Sequence, residues 1–311
     1  MKMQRDSRRR ASATTLLKVL LSGSADGVTQ LPFSICRPEM RSPSRIALLV
    51  ICAAIIALPS DAVATTIHAR YALKFAGIEV GELKVENSIS SSAYQAELHA
   101  RVTGIATVAT SRSVSMKASG IIRKGVVLPS TFFSDQAGTD PSRTMRLSLT
   151  AGNATSVEID PPFEDTTERV PLTEEHKRNV VDPLSAMILT VPPSERVLGP
   201  SACNRTLRVF NGLFRADIEL TYVRTEPFEA TGYSGPVALC SARYVPLAGY
   251  NPNATMTKFM MANQGIEIRV APIANTMLVM PVAVTIPLPV GAALLVLQQH
   301  SVDPTPDATG K

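Results

Sequence analysis

A chain of 311 residues, 45% hydrophobic and 18% charged, is long and apolar enough to fold around a core. Its formal net charge of +5 is unevenly placed: nine of the 31 basic and four of the 26 acidic residues lie in 1–64, which leaves 22 of each in 65–311. A neutral body excludes a basic footprint for nucleic acid and counts against an anionic membrane surface, and no Trp with 5% aromatics argues against a stacking platform for single strands or sugars.

Residues 40–64 have the three parts of a secretory signal peptide: Arg41 and Arg45, an uncharged apolar run over 46–58, then Pro59 and the small residues Ala62 and Ala64. Thirteen apolar residues are too few for a membrane helix, which needs about 20. The simplest account of 1–39 is an upstream extension that is not translated, with Met40 as the start and a mature chain from near Thr65; an uncleaved signal anchor is the alternative. Cys52 is no lipoprotein site, because Ile51 precedes it where a small residue is expected. Of four cysteines, Cys36 and Cys52 fall outside the exported part, so Cys203 and Cys240 remain. A pair in an oxidising compartment reads as one disulfide, with two buried thiols as the alternative.

Alternation at period two predicts strands from 71 onward: Tyr71, Leu73 and Phe75, then Ile78 and Val80, then Leu83 and Val85, with Gly77 and Gly81 at turns or bulges. Further strands are expected over 94–102, 114–122 (ending at Lys124-Gly125) and 128–133. A hairpin runs from Met145 through Ala151-Gly152-Asn153 to Ile159. Thr173 is placed to cap a short helix opening with Glu174-Glu175. Asp182-Pro183 then starts an amphipathic helix over 183–191, with Leu184, Met187, Ile188 and Val191 on one face and Pro192-Pro193 as its stop.

Strands resume at Leu207 and Val209, turn at Asn211-Gly212, and return through Phe214 to Tyr222; others are expected over 237–245 and 266–270. No Asp, Glu, Lys or Arg occurs over 270–300. Pro281, Pro287, Pro289 and period-two alternation favour a strand hairpin there over a membrane helix, with the prolines best placed at a sheet edge. No integral membrane span is predicted. The expected fold is mainly β, a curved antiparallel sheet or an open barrel or sandwich with one amphipathic helix packed on it, as a single domain over 65–301 followed by a polar tail, 302–311.

No catalytic constellation emerges. His68, His99, His176 and His300 share no metal-ligand spacing, so neither a metal nor another cofactor is predicted. Gly232-Tyr233-Ser234-Gly235-Pro236 fails the spacing of a nucleophile elbow and reads as a turn. Asp182 reads as a helix cap, and Glu174, Glu175 and His176 as solvated helix-start residues. Met256, Met260, Met261, Met277 and Met280 read as core before pocket lining.

Several stretches together resemble a bacterial exported family, the domain of unknown function 3108 family. They are Tyr71-Ala72-Leu73-Lys74-Phe75-Ala76-Gly77-Ile78; Asn179-Val180-Val181-Asp182-Pro183-Leu184-Ser185-Ala186; Arg205-Thr206-Leu207-Arg208-Val209-Phe210-Asn211-Gly212; and Gly232 through Cys240 to Gly249. The resemblance covers most of 68–297. It implies a β-rich cell-envelope protein with a cysteine pair at Cys203 and Cys240, and it carries no catalytic residues. The function expected is therefore non-enzymatic: a periplasmic protein of a Gram-negative bacterium in envelope maintenance, holding an apolar ligand or lipid chain between a curved sheet and the segment 183–191. The alternative is a module that docks on another envelope protein through a strand edge.

Overall fold

The computed structural model describes residues 64–108, 112–138, 141–163, 167–273 and 276–303. The signal-peptide and start-site expectations, Cys36, Cys52 and most of the polar tail lie outside these. The first half is a meander of seven antiparallel strands: β1 (Thr65–Phe75), β2 (Ile78–Ile89), β3 (Ala93–Val102), β4 (Ser113–Arg123), β5 (Val126–Ala137), β6 (Arg143–Thr150) and β7 (Asn153–Asp160). Its tight turns are built where the sequence places them. Ala76-Gly77, Lys124-Gly125 and Ala151-Gly152 all take positive φ at both residues, the twist a short hairpin needs. Gly81 sits at a bulge, where the β1–β2 register shifts between Leu73 and Lys74.

The second half contains β8 (Leu189–Thr190), α1 (Pro200–Cys203), β9 (Arg205–Phe210), β10 (Arg215–Ala230), β11 (Tyr233–Ala248), α2 (Thr255–Ala262), β12 (Ile266–Pro272), β13 (Leu278–Pro287) and β14 (Ala292–Asp303). β14 pairs with β1, so the sheet runs β7-β6-β5-β4-β3-β2-β1-β14-β13-β12-β11-β10-β9, with β8 added to β13. β7 and β9 are not paired with each other, so backbone ladders do not close the sheet. The β9–β10 turn nevertheless packs on the far edge: a Cβ at Gly212 would lie 3.1 Å from Leu147 and 3.2 Å from Val157.

The connection from β7 to β9 fills this seam. Val180 N–H donates to Gly152 O (2.6 Å) in the β6–β7 turn, Val181 N–H to Arg208 O (2.9 Å), and Phe210 N–H to Val181 O (2.9 Å). The chain then dives under the sheet. Val180, Leu184 and Ile188 join the core formed by Ile67, Tyr94, Leu98, Phe132, Leu147 and Phe210. Leu189 and Val191 join a second core with Ala202, Val270 and Val279, into which Cys203 and Cys240 are packed as a disulfide. Each fully buried Leu or Val here contributes about 1.5–3 kcal/mol of hydrophobic stabilisation.

This strap corrects the expected helix over 183–191. Only a single 3-10 turn forms, Ser185–Met187, and β8 follows it. A surface helix needs one solvated face, but Leu184, Ser185, Ala186, Ile188, Leu189 and Val191 are all buried. At Ile188 the backbone becomes extended (φ −87°, ψ 96°), which lets Leu189 and Thr190 pair with Val279 and Leu278. The prolines of 270–300 are also corrected. β13 lies inside the sheet rather than at an edge; Pro281 is tolerated because the β13–β14 ladder begins only at Ala283. The methionines divide: Met256 (53% exposed) and Met261 (46%) of α2 face outward, while Met260 packs against Leu220, Ala242 and Ile266, and Met277 and Met280 pack on the two larger cores. Among the described residues no helix is long and apolar enough to cross a membrane.

Candidate functional site

The strap carries a buried polar cluster. Asp182 is fully buried; its Oδ1 accepts the N–H groups of Leu184 (3.0 Å) and Ser185 (2.9 Å), and its Oδ2 has no hydrogen-bond partner. Burial pushes this carboxyl up from its ordinary value, opposed by the Ser185 hydroxyl and the backbone N–H groups of Ser185, Leu184 and Asp182 itself. The Ser185 hydroxyl is 2.6 Å from the Tyr94 hydroxyl on β3, and burial raises that phenol as well. Asp182 therefore caps the one turn of the strap, and Tyr94–Ser185 pins the turn to the sheet. Ser185 also lines a cavity between β5 and β9, whereas Asp182 and Tyr94 do not.

The other residues weighed for chemistry are dispersed. Ser234 is exposed at the start of β11, and among the described residues no hydrogen bond joins it to a base. Glu174 and Glu175 pair with Lys177 (2.7 Å) and Arg178 (3.7 Å) at the surface, and Lys177 lowers the Glu174 carboxyl. His176 Nδ1 accepts the Thr173 N–H (3.1 Å), completing a capping box. His68 lies between Glu86 (3.4 Å) and Asp303 (3.2 Å), His99 Nε2 is 3.9 Å from Glu97, and His300 Nδ1 is 2.9 Å from Gly232 O. Among the described residues no three His, Cys, Asp or Glu side chains converge on one point.

What the sequence did not reveal is space. Two cavities lie at the end of the sheet where β1 begins. The larger, about 600 Å³, is lined mainly by apolar side chains, including Ile67, Ile89, Ile122, Val191, Met277 and Leu278. The smaller, about 400 Å³, opens in the seam between β5, the strap and β9, where Val127, Ile188 and Leu207 share the lining with Arg205 and Arg208. Arg205 Nη2 donates to Thr190 O (2.9 Å) and to Ser201 O, its Nε has no hydrogen-bond partner, and burial lowers its pKa. No single sequence signal marks these cavities, because their walls come from seven separate segments.

Comparison with known proteins gives a family and a fold likeness. The family model described as "Protein of unknown function (DUF3108)" matches residues 70–298. A crystal structure of a beta-barrel-like protein of domain of unknown function DUF1849 from Brucella abortus is similar at 12% identity with a TM-score of 0.45, covering 78% of this chain and 98% of that one. No curated protein matches the sequence.

Proposed function

The chain belongs to the DUF3108 family, and from that premise we propose that it is an exported, non-enzymatic binding protein of the cell envelope whose sheet holds an apolar chain. One observation carries the reading: the cavity of about 600 Å³ walled by Ile67, Ile89, Ile122, Val191 and Leu278, a size typical of small-molecule sites. Export is supported by the leader-like segment 40–64 and by the Cys203–Cys240 disulfide, a bond that persists in oxidising compartments. Native mass spectrometry of protein taken from the periplasm tests it. A bound mass of a hydrophobic molecule is expected, together with uptake of hexadecanol by the emptied protein and loss of that uptake in Ile122→Trp. A clean unliganded mass with no uptake overturns it.

A second reading, docking on another envelope protein, is favoured by the opposite end of the sheet. There the β1–β2 and β13–β14 turns sit side by side, with Ala76 N–H donating to Ala292 O (3.0 Å), and Phe75 (39%), Ile78 (51%) and Val290 (73%) are exposed. A photocrosslinker at position 78 gives one discrete protein adduct in cells on this reading, and none on the first.

A further inference from the structure

The two cavities adjoin across a shared wall. Gly125 and Thr190 line both, and the Thr190 hydroxyl donates to the Gly125 carbonyl where they adjoin. On one side of that contact the walls are mainly apolar, with Lys124 the one charged residue among the described residues of the lining. On the other stand Arg205 and Arg208, with no Asp or Glu among the described residues of the lining. Arg208 is exposed, but Arg205 is part-buried, and a guanidinium so placed without a carboxylate is costly unless an anion visits it. Most other cations of this sheet have one: Lys117 pairs with Glu97 (2.8 Å), Arg224 with Glu226 (2.6 Å), and Arg269 with Glu226 and Glu267 (each 3.0 Å). Arg208 has no ion pair or side-chain hydrogen bond among the described residues, and Arg205 is held only by neutral carbonyls, with its Nε unused.

We propose that the two cavities form one site for an anionic amphiphile with a single long chain, the acid group held by Arg205 and Arg208 in the seam and the chain passing Thr190 and Gly125 into the apolar cavity. This rests on the apolar-chain reading above and adds the charge of the headgroup and the direction in which the chain lies. The strap places both parts: β8 presents Thr190 at the junction, its carbonyl bonds Arg205, and Val191 behind it walls the apolar side.

The test compares two probes with the same chain, hexadecanoate and hexadecanol, by displacement of a neutral fluorescent dye from the emptied full chain. Charge-assisted hydrogen bonds set the expected preference for hexadecanoate at roughly tenfold or more at low salt. Arg208→Ala should erase most of that preference and leave hexadecanol unchanged. Because Arg205 also ties the strap to α1, the exposed Arg208 is the primary variant, and Arg205→Lys, with melting monitored, is the second. Equal binding of the two probes by the unaltered protein overturns the headgroup assignment while leaving the apolar-chain reading standing. A preference that survives both substitutions places the anion elsewhere and overturns the proposal. Binding of neither probe overturns the proposal together with the reading beneath it.

Discussion

The two halves of the sheet are held in different ways. In the meander β1–β7, each strand pairs with its neighbour in sequence, two-residue turns with positive φ set several registers, and no covalent link is needed. The strands β9–β14 also follow one another, but they depend on contacts made far away in sequence. Cys203 of α1 is bonded to Cys240 of β11 across 37 residues, Tyr71 OH donates to Pro281 O (2.9 Å), and the strap inserts between the two cores. Local turns are enough to align hairpins. Where strands must separate to admit a buried segment, the sheet is tied by long-range links instead.

That contrast can be broken from either side. Reducing the disulfide, or Cys203→Ser, should cost the most, about 4 kcal/mol from the chain entropy restored to the unfolded state. The thermal transition should fall, and amide exchange should rise first in β9–β11 while β2–β5 stay protected. Equal loss of protection in both halves would erase the distinction. In the meander, the largest effect is expected at Gly120, where β5 bulges at Ser130 against β4 and an added Cβ would collide with Leu128 O and approach Pro129 Cα to 2.8 Å. Gly120→Ala should cost about 1–3 kcal/mol in denaturant titration, because the neighbour is backbone and cannot swing away.

The strap is the hinge of the comparison, and its polar cluster gives the intermediate effects. Tyr94→Phe removes the bond to Ser185 and leaves that hydroxyl buried, so about 1–2 kcal/mol should be lost. Asp182 adds a pH signature. Its folded carboxyl lies above the unfolded value of about 3.9, so its favourable contribution is present below that pH and is lost as pH rises through the folded value. Asp182→Asn keeps an oxygen acceptor for the two capping N–H groups and removes the ionisation. The variant should therefore gain stability relative to the parent as pH rises from about 4 toward neutrality. A constant difference across that range would mean the carboxyl does not titrate against burial. The smallest effect belongs to the exposed Lys117–Glu97 pair on the meander: Lys117→Ala should shift stability by about 0.5 kcal/mol or less in the same titration.

Much of this fold was legible in the sequence because its signals are local. Alternating residues and the glycine turns at 77, 125 and 152 mark individual hairpins. Asn211-Gly212 predicts a turn and lies in one, although it closes as a four-residue loop in which Asn211 Oδ1 accepts the N–H groups of Leu213 and Phe214 and only Gly212 takes positive φ. The polar cap at Asp182 was also legible, since Asp before Pro favours the start of a helical turn in any context. The length of that turn was not. The spacing of Leu184, Met187, Ile188 and Val191 describes a helix with one apolar face, and tertiary burial on every side overrode it. The composition that placed all the net charge in residues 1–64 established a neutral body, but not where its cations would stand. Only the folded sheet sets Arg205 and Arg208 in a seam without carboxylates and places an apolar cavity beside them, because that arrangement depends on how β5, the strap and β9 converge in space rather than on the order of residues along any one of them.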